Sequence, residues 1–376
     1  MQPPVDLGKL SAPARKLLDP ASAGPMRQLA ARALAPGVRP GEAVTIVALL
    51  SESTDAALSA LAKTTLERLP PPILHGALAG DLPPGVLGLL APRYAHDAAI
   101  MEKVLAHPAM PAAAVVDVAA AASEAVAELV AINEERLLAH PAIIEKLYMN
   151  KATRMSTADR ILELAVRGGI ELPGIPAYRE AATAIGMELI SERSKERTPD
   201  DVLFQETEIA AQQTEIDAAR EDTHRLDDET GTEVVAEKFL PLHARLGSMT
   251  VSQKIRVAML GNAAERLLLV RDSNRLVAAA AVKSPMIQES EIVRISASRN
   301  VTEDVLRVIA LDREWTRSHQ VKVNLVSNPR TPFAFAAKLV MHLREHELKA
   351  LARSKNVAGA VVQAAKHQLS RKNIKD

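Results

Sequence analysis

LVSNPRTPFAFAAKLV, residues 325–340, contains the turn that decides the fold. One apolar run ends at Asn328 and Pro329, and a second begins directly after Thr331 and Pro332. Pro329 disfavours helical backbone at Asn328, so the first run must stop there. The Thr331 hydroxyl can accept from free backbone N–H groups, and proline suits the first turn of a helix because its missing N–H is not needed there. The stretch is therefore predicted to be a corner between two helices.

This corner recurs at even spacing along the chain. Asn300, Asn328 and Asn356 are equally spaced, and each is followed by apolar residues five, eight and nine positions later. Offsets of three and four place such residues on one face of a helix. The pattern predicts a repeated unit of short helices, which explains the unusual residues of the corner without assigning them to a catalytic site.

The N-terminal half shows a less regular form of the same pattern of helix starts and ends. Pro84 and Pro111 mark two expected helix starts at a similar spacing, and the sequence VLAHPAM around His107 returns as LLAHPAI around His140. Helical hairpins of this length cannot bury their apolar faces alone and stack on their neighbours. We therefore predict an all-α protein, an α-solenoid of short helical hairpin repeats in two halves.

The corner resembles a known family. Asn328-Pro-Arg-Thr-Pro332, preceded by VKVNLVS and followed by AAKLV, is similar to the corner of HEAT-like and leucine-rich-repeat-variant α-solenoids, with the best match over residues 299–365. The units, each running from one asparagine of the series to the next, are shorter than typical tetratricopeptide and HEAT units. The resemblance implies an all-α superhelix that binds a partner on a concave face, and it implies no reaction.

Composition supports helices and limits the chemistry. Hydrophobic residues make up 48% of the 376 residues and aromatic residues only 2%, which suits close-packed helices better than a barrel or sandwich. The absence of cysteine excludes disulfides, thiol nucleophiles and Cys-bound metal, and it fits a reducing compartment. The longest Ala/Val-rich run, 112–122, is too short to span a bilayer and contains Asp117. We expect a cytoplasmic protein with no membrane association.

Charge divides the chain into three predicted domains. Residues 1–191 carry 17 Lys and Arg against 20 Asp and Glu, residues 192–237 carry 5 against 15, and residues 238–376 carry 24 against 11. We predict an N-terminal helical-repeat domain (1–191), an acidic and largely disordered linker (192–237), and a basic C-terminal helical-repeat domain (238–376). Val202, Ile209 and Ile216 recur every seven residues, so a short docking helix in the linker is the alternative.

One motif is typical of an enzyme. His342, Glu345 and His346 form His-x-x-Glu-His, the zinc signature of inverted zinc peptidases, but a catalytic zinc needs a third ligand and short motifs often match by chance. The sequence has no Gly-x-Ser-x-Gly elbow, Walker A loop or Gly-x-Gly-x-x-Gly fingerprint. We therefore predict that the protein is not an enzyme and that it has no catalytic, cofactor-binding or metal-binding residues.

The expected function is that of a cytoplasmic scaffold or adaptor whose repeats bind a protein partner. The candidate binding residues, all in the basic domain, are Arg299, Arg313, Trp315, Arg317 and Arg330. The alternative is binding of nucleic acid or another polyanion through the same domain. The acidic linker could lie across the basic domain and compete with an anionic partner. The sequence leaves the partner's identity and the oligomeric state open.

Overall fold

The computed structural model describes residues 5–190, 192–214, 216–227 and 232–373. These residues form 24 α-helices, four short 3-10 turns and one two-stranded hairpin, so the prediction of an all-α protein is confirmed. Within the described ranges, no helix combines the length and the apolar content needed to cross a membrane. The chain folds into two compact units, Met1–Gly174 and Ile175–Asp376.

The α-helices of the first unit are α1 (Ala12–Leu18), α2 (Gly24–Ala31), α3 (Pro40–Ser51), α4 (Ala56–Glu67), α5 (Pro71–Leu78), α6 (Pro84–Leu90), α7 (Ala98–Ala106), α8 (Ala112–Ala121), α9 (Glu124–Ala131), α10 (Glu134–Ala139), α11 (Ala142–Met149) and α12 (Met155–Arg167). Two 3-10 turns, Leu7–Lys9 and Ala91–Tyr94, belong to the same unit.

The elements of the second unit are α13 (Tyr178–Ile185), α14 (Pro199–Gln213), β1 (His224–Leu226), β2 (Glu233–Val235), α15 (Leu240–Gly247), α16 (Val251–Leu260), α17 (Ala263–Leu269), α18 (Arg275–Val282), α19 (Glu289–Ala297), α20 (Glu303–Leu311), α21 (His319–Ser327), α22 (Phe333–Val340), α23 (Glu345–Arg353) and α24 (Gly359–Asn373). Its 3-10 turns are Glu237–Phe239 and Trp315–Arg317.

Helices in both units pack on near neighbours in the chain. In the first unit α3 contacts α4 and α5, and α8 contacts α6, α9 and α11. In the second unit alternate helices form rows, one through α16, α18, α20, α22 and α24 and another through α17, α19 and α21. All the described helices are short, so each depends on its neighbours to bury its apolar face.

Side chains at the helix corners tie neighbouring turns together. Asn328, which follows the last residue of α21, is only 5% exposed. Its Nδ2 donates to the carbonyls of Ser296 (3.0 Å) and Ser298 (2.8 Å) at the preceding corner, and its Oδ1 accepts from the Arg330 amide (3.0 Å). One amide group thus satisfies two backbone carbonyls of the preceding corner and closes its own turn.

Asn150, at the end of α11 in the first unit, makes the same set of bonds. Its Nδ2 donates to the carbonyls of Ala119 (3.1 Å) and Ala122 (2.9 Å), and its Oδ1 accepts from the Ala152 amide (2.9 Å). Asn150 lies outside the evenly spaced series of asparagines, so its role was not predictable from that spacing.

Other residue types also bond both to their own turn and to the preceding corner. His107 follows α7; its Nδ1 accepts from the Ala109 amide (3.1 Å) and its Nε2 meets the Gly80 carbonyl (3.0 Å). The Ser284 hydroxyl donates to the Met259 carbonyl (3.1 Å) and accepts from the Met286 amide (3.3 Å). The bonds to the preceding corner made by Asn328, Asn150, His107 and Ser284 join residues 25 to 32 positions apart.

The three asparagines of the predicted series are not equivalent. At the corners on either side of Asn328, the first residue after the helix is Ser298 or Ser354, and their hydroxyls accept from the amides of Asn300 (3.4 Å) and Asn356 (3.2 Å). Asn300 and Asn356 therefore correspond to Arg330, two positions further on. Serine replaces asparagine because its hydroxyl also accepts a hydrogen bond from the second following amide.

The acidic segment, residues 192–237, differs from the predicted linker. Its described residues contain α14 and the β1–β2 hairpin, and the two compact units divide after Gly174, whereas we expected a boundary at residue 191. The alternative of a short helix in this segment matches α14. A largely disordered linker was expected because large apolar residues are few, but ion pairs to the basic residues that follow supply contacts that the segment's own sequence does not reveal.

The Asn328→Ala substitution tests the corner interaction. We expect it to lower the free energy of unfolding of the second unit by about 2–3 kcal/mol, because two carbonyls of the preceding corner lose their donor. Asn356→Ala, at an exposed position of the next corner, should change it by less than about 0.5 kcal/mol. Urea unfolding followed by fluorescence of Trp315, the single tryptophan, measures both. Equal losses for the two variants would refute the corner assignment.

Candidate binding surface on the second unit

The acidic segment packs in two parts on the helices that follow it in the second unit. The first part is α14. Asp201, Phe204, Thr207 and Ala211 line its buried face. The guanidinium of Arg256 lies 4.9 Å from the centre of the Phe204 ring. Asn262 Nδ2 donates to the Ala211 carbonyl (2.6 Å) near the end of the helix. These contacts join α14 to α16 and to the start of α17.

The second part is the docked segment, which we define as residues 217–227 and 232–237. It contains β1 and β2, which pair antiparallel with His224 opposite Val235 and Leu226 opposite Glu233. Thr223, directly before β1, is 1% exposed and lines a small recess. The other lining residues are Asp222, Arg271, Arg294, Leu267, Val270, Ile295 and Val301. A short side chain with one methyl group thus closes a recess whose other walls are partly apolar and partly charged.

Arg271 is the centre of this contact. It follows the end of α17, and its side chain is 14% exposed. Its Nη2 donates to Glu233 Oε1 (3.1 Å) and to Ser298 Oγ (3.3 Å), while its Nη1 donates to His224 Nδ1 (3.1 Å) and Thr223 Oγ1 (3.3 Å). One arginine therefore holds both strands of the hairpin against the corner that follows α19.

Further polar contacts flank Arg271. Arg294, in the last turn of α19, pairs with Asp222, and Asn300 donates through its Nδ2 to Glu233. Glu233 thus accepts from Arg271 and Asn300 with its two separate oxygens. Carboxylates held by partly buried guanidinium groups form stronger hydrogen bonds than neutral pairs do, and they fix the position of the segment.

Burial gives His224 an unusually low pKa. Desolvation lowers its pKa to about 4, and the positive charge of Arg271 acts in the same direction. Glu233 and Asp222 oppose this shift, and His243, from α15, adds to it. The neutral ring is the state that fits the contact, because the unprotonated Nδ1 accepts from the guanidinium of Arg271.

Two of the five predicted binding residues lie on the same side of the unit as the docked segment. Arg299 follows the corner of α19, and Arg330 follows the corner of α21, with its Nη1 donating to the Val301 carbonyl (3.3 Å). Both are exposed, as is Lys355 after α23. We call Arg271, Arg299, Arg330 and Lys355 the corner edge, because each lies just beyond the C-terminal end of α17, α19, α21 or α23.

The other three predicted residues lie elsewhere. Arg313, Trp315 and Arg317 are in the turn between α20 and α21, at the opposite end of α20 from the corner that holds Arg299. Nine helical residues separate the two ends by about 13 Å. Arg313 and Arg317 are exposed and Trp315 is half-buried. The structure therefore divides the predicted set into two groups.

The His-x-x-Glu-His residues do not share one helix face. α23 begins at Glu345, so His342 lies in the preceding turn, and Glu345 pairs with Lys349. Within the part of the chain that the structure describes, no three His, Asp or Glu side chains converge as metal ligands.

Sequence reasoning did not select Arg271, Arg294 or Asn300 as binding residues. The acidic partners of Arg271 and Arg294 lie 38 and 72 positions away in the chain, so no local motif identifies the pairs. The available signal was the charge contrast between the acidic segment and the basic region that follows it, which indicated that the two could attract each other but not where they would meet.

The shifted pKa of His224 predicts that acid weakens the docked segment. The unfolded chain binds a proton near pH 6.5 and the folded chain only near pH 4, so the stabilisation is complete above pH 6.5 and is lost as the pH falls towards 4. With a discount for partial exposure, the free energy of unfolding should fall by about 1 kcal/mol more between pH 7 and pH 5 in the wild type than in His224→Asn.

The matched control for this prediction is His342→Gln, at an exposed position away from the hairpin. It should keep the full wild-type dependence on pH. An equal pH dependence in wild type and His224→Asn would show that His224 does not contribute to the acid sensitivity.

Comparison with protein-family models, with curated proteins and with solved structures gives no match. The geometry of the second unit is therefore the guide to function. Its most informative feature is an acidic stretch of polypeptide held by arginines from neighbouring helices.

Proposed function

We propose that this protein is a non-enzymatic scaffold, an α-solenoid of short helical hairpins that binds a protein partner along the corner edge. One observation carries the proposal: arginines of α19 and of the turn after α17 hold an acidic stretch of polypeptide through its carboxylates. A surface that binds one segment of its own chain in this way has the chemistry to bind a similar segment of another protein.

The packing of the helices supports the solenoid part of the proposal. Helices contact those one and two positions further along, and corner side chains bond to backbone 25 to 32 residues earlier in both units. Stacked repeats bury a continuous core and leave long rows of equivalent residues at the surface. Such rows suit the binding of an extended partner. The absence of cysteine fits the cytoplasm as its compartment.

Binding of nucleic acid or another polyanion is the second candidate, and the same residues favour it. Arg299, Arg330 and Lys355 give the corner edge positive charge beyond the docked segment. Phosphate binding through such residues would release counterions, so affinity would fall steeply between 50 and 200 mM salt.

Charge reversal in each of the two groups of predicted binding residues tests the scaffold. The full chain carrying Arg299→Glu and Arg330→Glu should fail to capture a stoichiometric protein partner from nuclease-treated lysate at physiological salt. The matched variant Arg313→Glu with Arg317→Glu makes the same change in charge at the opposite end and should capture it as the wild type does. All four positions are exposed, so both variants should fold.

Two results would overturn the scaffold proposal. One is the absence of any nuclease-resistant partner together with heparin and DNA binding that falls a hundredfold or more from 50 to 200 mM salt, which would favour the polyanion candidate. The other is equal capture by the two charge-reversed variants, which would remove the corner edge from the binding surface.

A further inference from the structure

We propose that the docked segment is a built-in ligand: it occupies a site for an acidic polypeptide segment, and a partner that carries such a segment binds by displacing it. The inference rests on the proposed function, because it names the class of partner that the scaffold takes. The partner segment has two carboxylates that reach Arg271 and Arg294, with a small side chain between them for the recess.

The site recognises carboxylates at two separate points. Arg271 holds Glu233 at 3.1 Å, Asn300 reaches the other oxygen of the same carboxylate, and Arg294 pairs with Asp222. Arg271 and Arg294 are 14% and 19% exposed. They come from successive members of one row of helices, α17 and α19, so the distance between the two points is set by helix packing and not by the ligand.

The recess between these points favours polypeptide over nucleic acid. Thr223, which is 1% exposed, forms one wall of it, and its apolar walls come from Leu267, Val270, Ile295 and Val301. A polypeptide can place a small side chain with a methyl group there while neighbouring carboxylates reach the arginines. A phosphate backbone carries charge on every unit and has no small apolar group to put between two contacts, so it would leave the apolar walls uncovered.

The docked segment is held weakly enough to be displaced. Its two strands have three residues each, and a hairpin of that size is marginally stable in water by itself. Two further ion pairs of the segment, Glu221 with Lys238 and Arg225 with Glu237, join side chains that are 42% to 82% exposed, so they contribute little. Its advantage is the tether, which gives an effective concentration of the order of millimolar. A partner overcomes that advantage only with contacts that the segment lacks.

The corner edge offers such contacts. It continues from Arg271 through Arg299 and Arg330 to Lys355, and the last three are exposed. The docked segment pairs with Arg271, the first residue of this row, and with Arg294 in the neighbouring helix α19. A longer acidic segment would meet the same arginines and then continue along the basic corners of α19, α21 and α23.

A synthetic, fluorescently labelled peptide with the sequence of residues 217–237 tests the inference. The release variant is the full chain with Asp222→Asn and Glu233→Gln, which removes the carboxylates of the built-in ligand. We expect it to bind the peptide at least tenfold more tightly than the wild type in fluorescence anisotropy. The control, Glu303→Gln with Asp304→Asn, makes the same charge change at exposed acids paired with Arg307 and should bind as the wild type does.

Adding Arg271→Gln to the release variant should reduce its affinity for the peptide at least tenfold, whereas adding Arg307→Gln should leave it unchanged. A release variant that binds the peptide no more tightly than the wild type would overturn the inference. So would tenfold tighter binding of a DNA duplex of matched charge, with no gain for the peptide.

If the release variant does not fold, hydrogen exchange on the wild type shows whether the peptide displaces the docked segment. Saturating peptide should raise the exchange rate of amides in 222–227 and 232–236 at least fivefold, because a displaced hairpin loses its support. Unchanged exchange with peptide bound would show that the segment stays in place. In that case the built-in ligand is refuted, while capture of a protein partner through Arg299 and Arg330 would still support the scaffold.

Discussion

A side chain that closes its own helix end and bonds to the backbone of the previous corner is the interaction on which this structure depends. Asn150 and Asn328 each donate to two carbonyls of the preceding corner and accept from the second following amide. Short helices have little intrinsic stability, so their ends must be satisfied and their faces buried by neighbours. The corner residues meet both needs, and they set the spacing of 25 to 32 residues between successive turns.

The same corners place the basic residues. Arg271, Arg299, Arg330 and Lys355 lie just past the C-terminal ends of helices, where a cation interacts favourably with the helix dipole. Packing of α17 on α19 and of α19 on α21 then brings the first three of these positions onto one side of the unit. A feature that stabilises single helix ends thereby produces a row of positive charge. The acidic segment occupies the beginning of that row through Glu233 and Asp222.

The sequence could predict the fold class and one corner, because Asn-Pro has a strong local effect on the backbone. The expected cap by Thr331 was wrong, since Pro332 is the N-cap of α22 and no side chain accepts a hydrogen bond there. The sequence could not show which residues occupy equivalent positions at the neighbouring corners. Ser298 and Ser354 fill the position of Asn328 with a different residue type, and the even spacing of Asn300 and Asn356 pointed to the wrong residues. Local signals fail where several residue types make the same hydrogen bond.

The surface proposed for binding was only partly predictable for a different reason. Arg299 and Arg330 stand out in the sequence because they flank the corners, whereas Arg271 is identified only by partners on a hairpin 38 to 48 positions away. The hairpin itself was hidden by its composition. Few large apolar residues indicated a linker, yet a buried Thr223 and two carboxylates are enough when the arginines are already in place.

A double-mutant cycle between Arg271 and Glu233 is the most direct test of this account. The full chain is compared with Arg271→Gln, Glu233→Gln and the double variant, and the free energy of unfolding of each is measured by urea denaturation. Because both side chains are largely buried, we predict a coupling energy of about 1–2 kcal/mol. A coupling below about 0.3 kcal/mol would mean that the acidic segment is not held by Arg271, and would contradict the account.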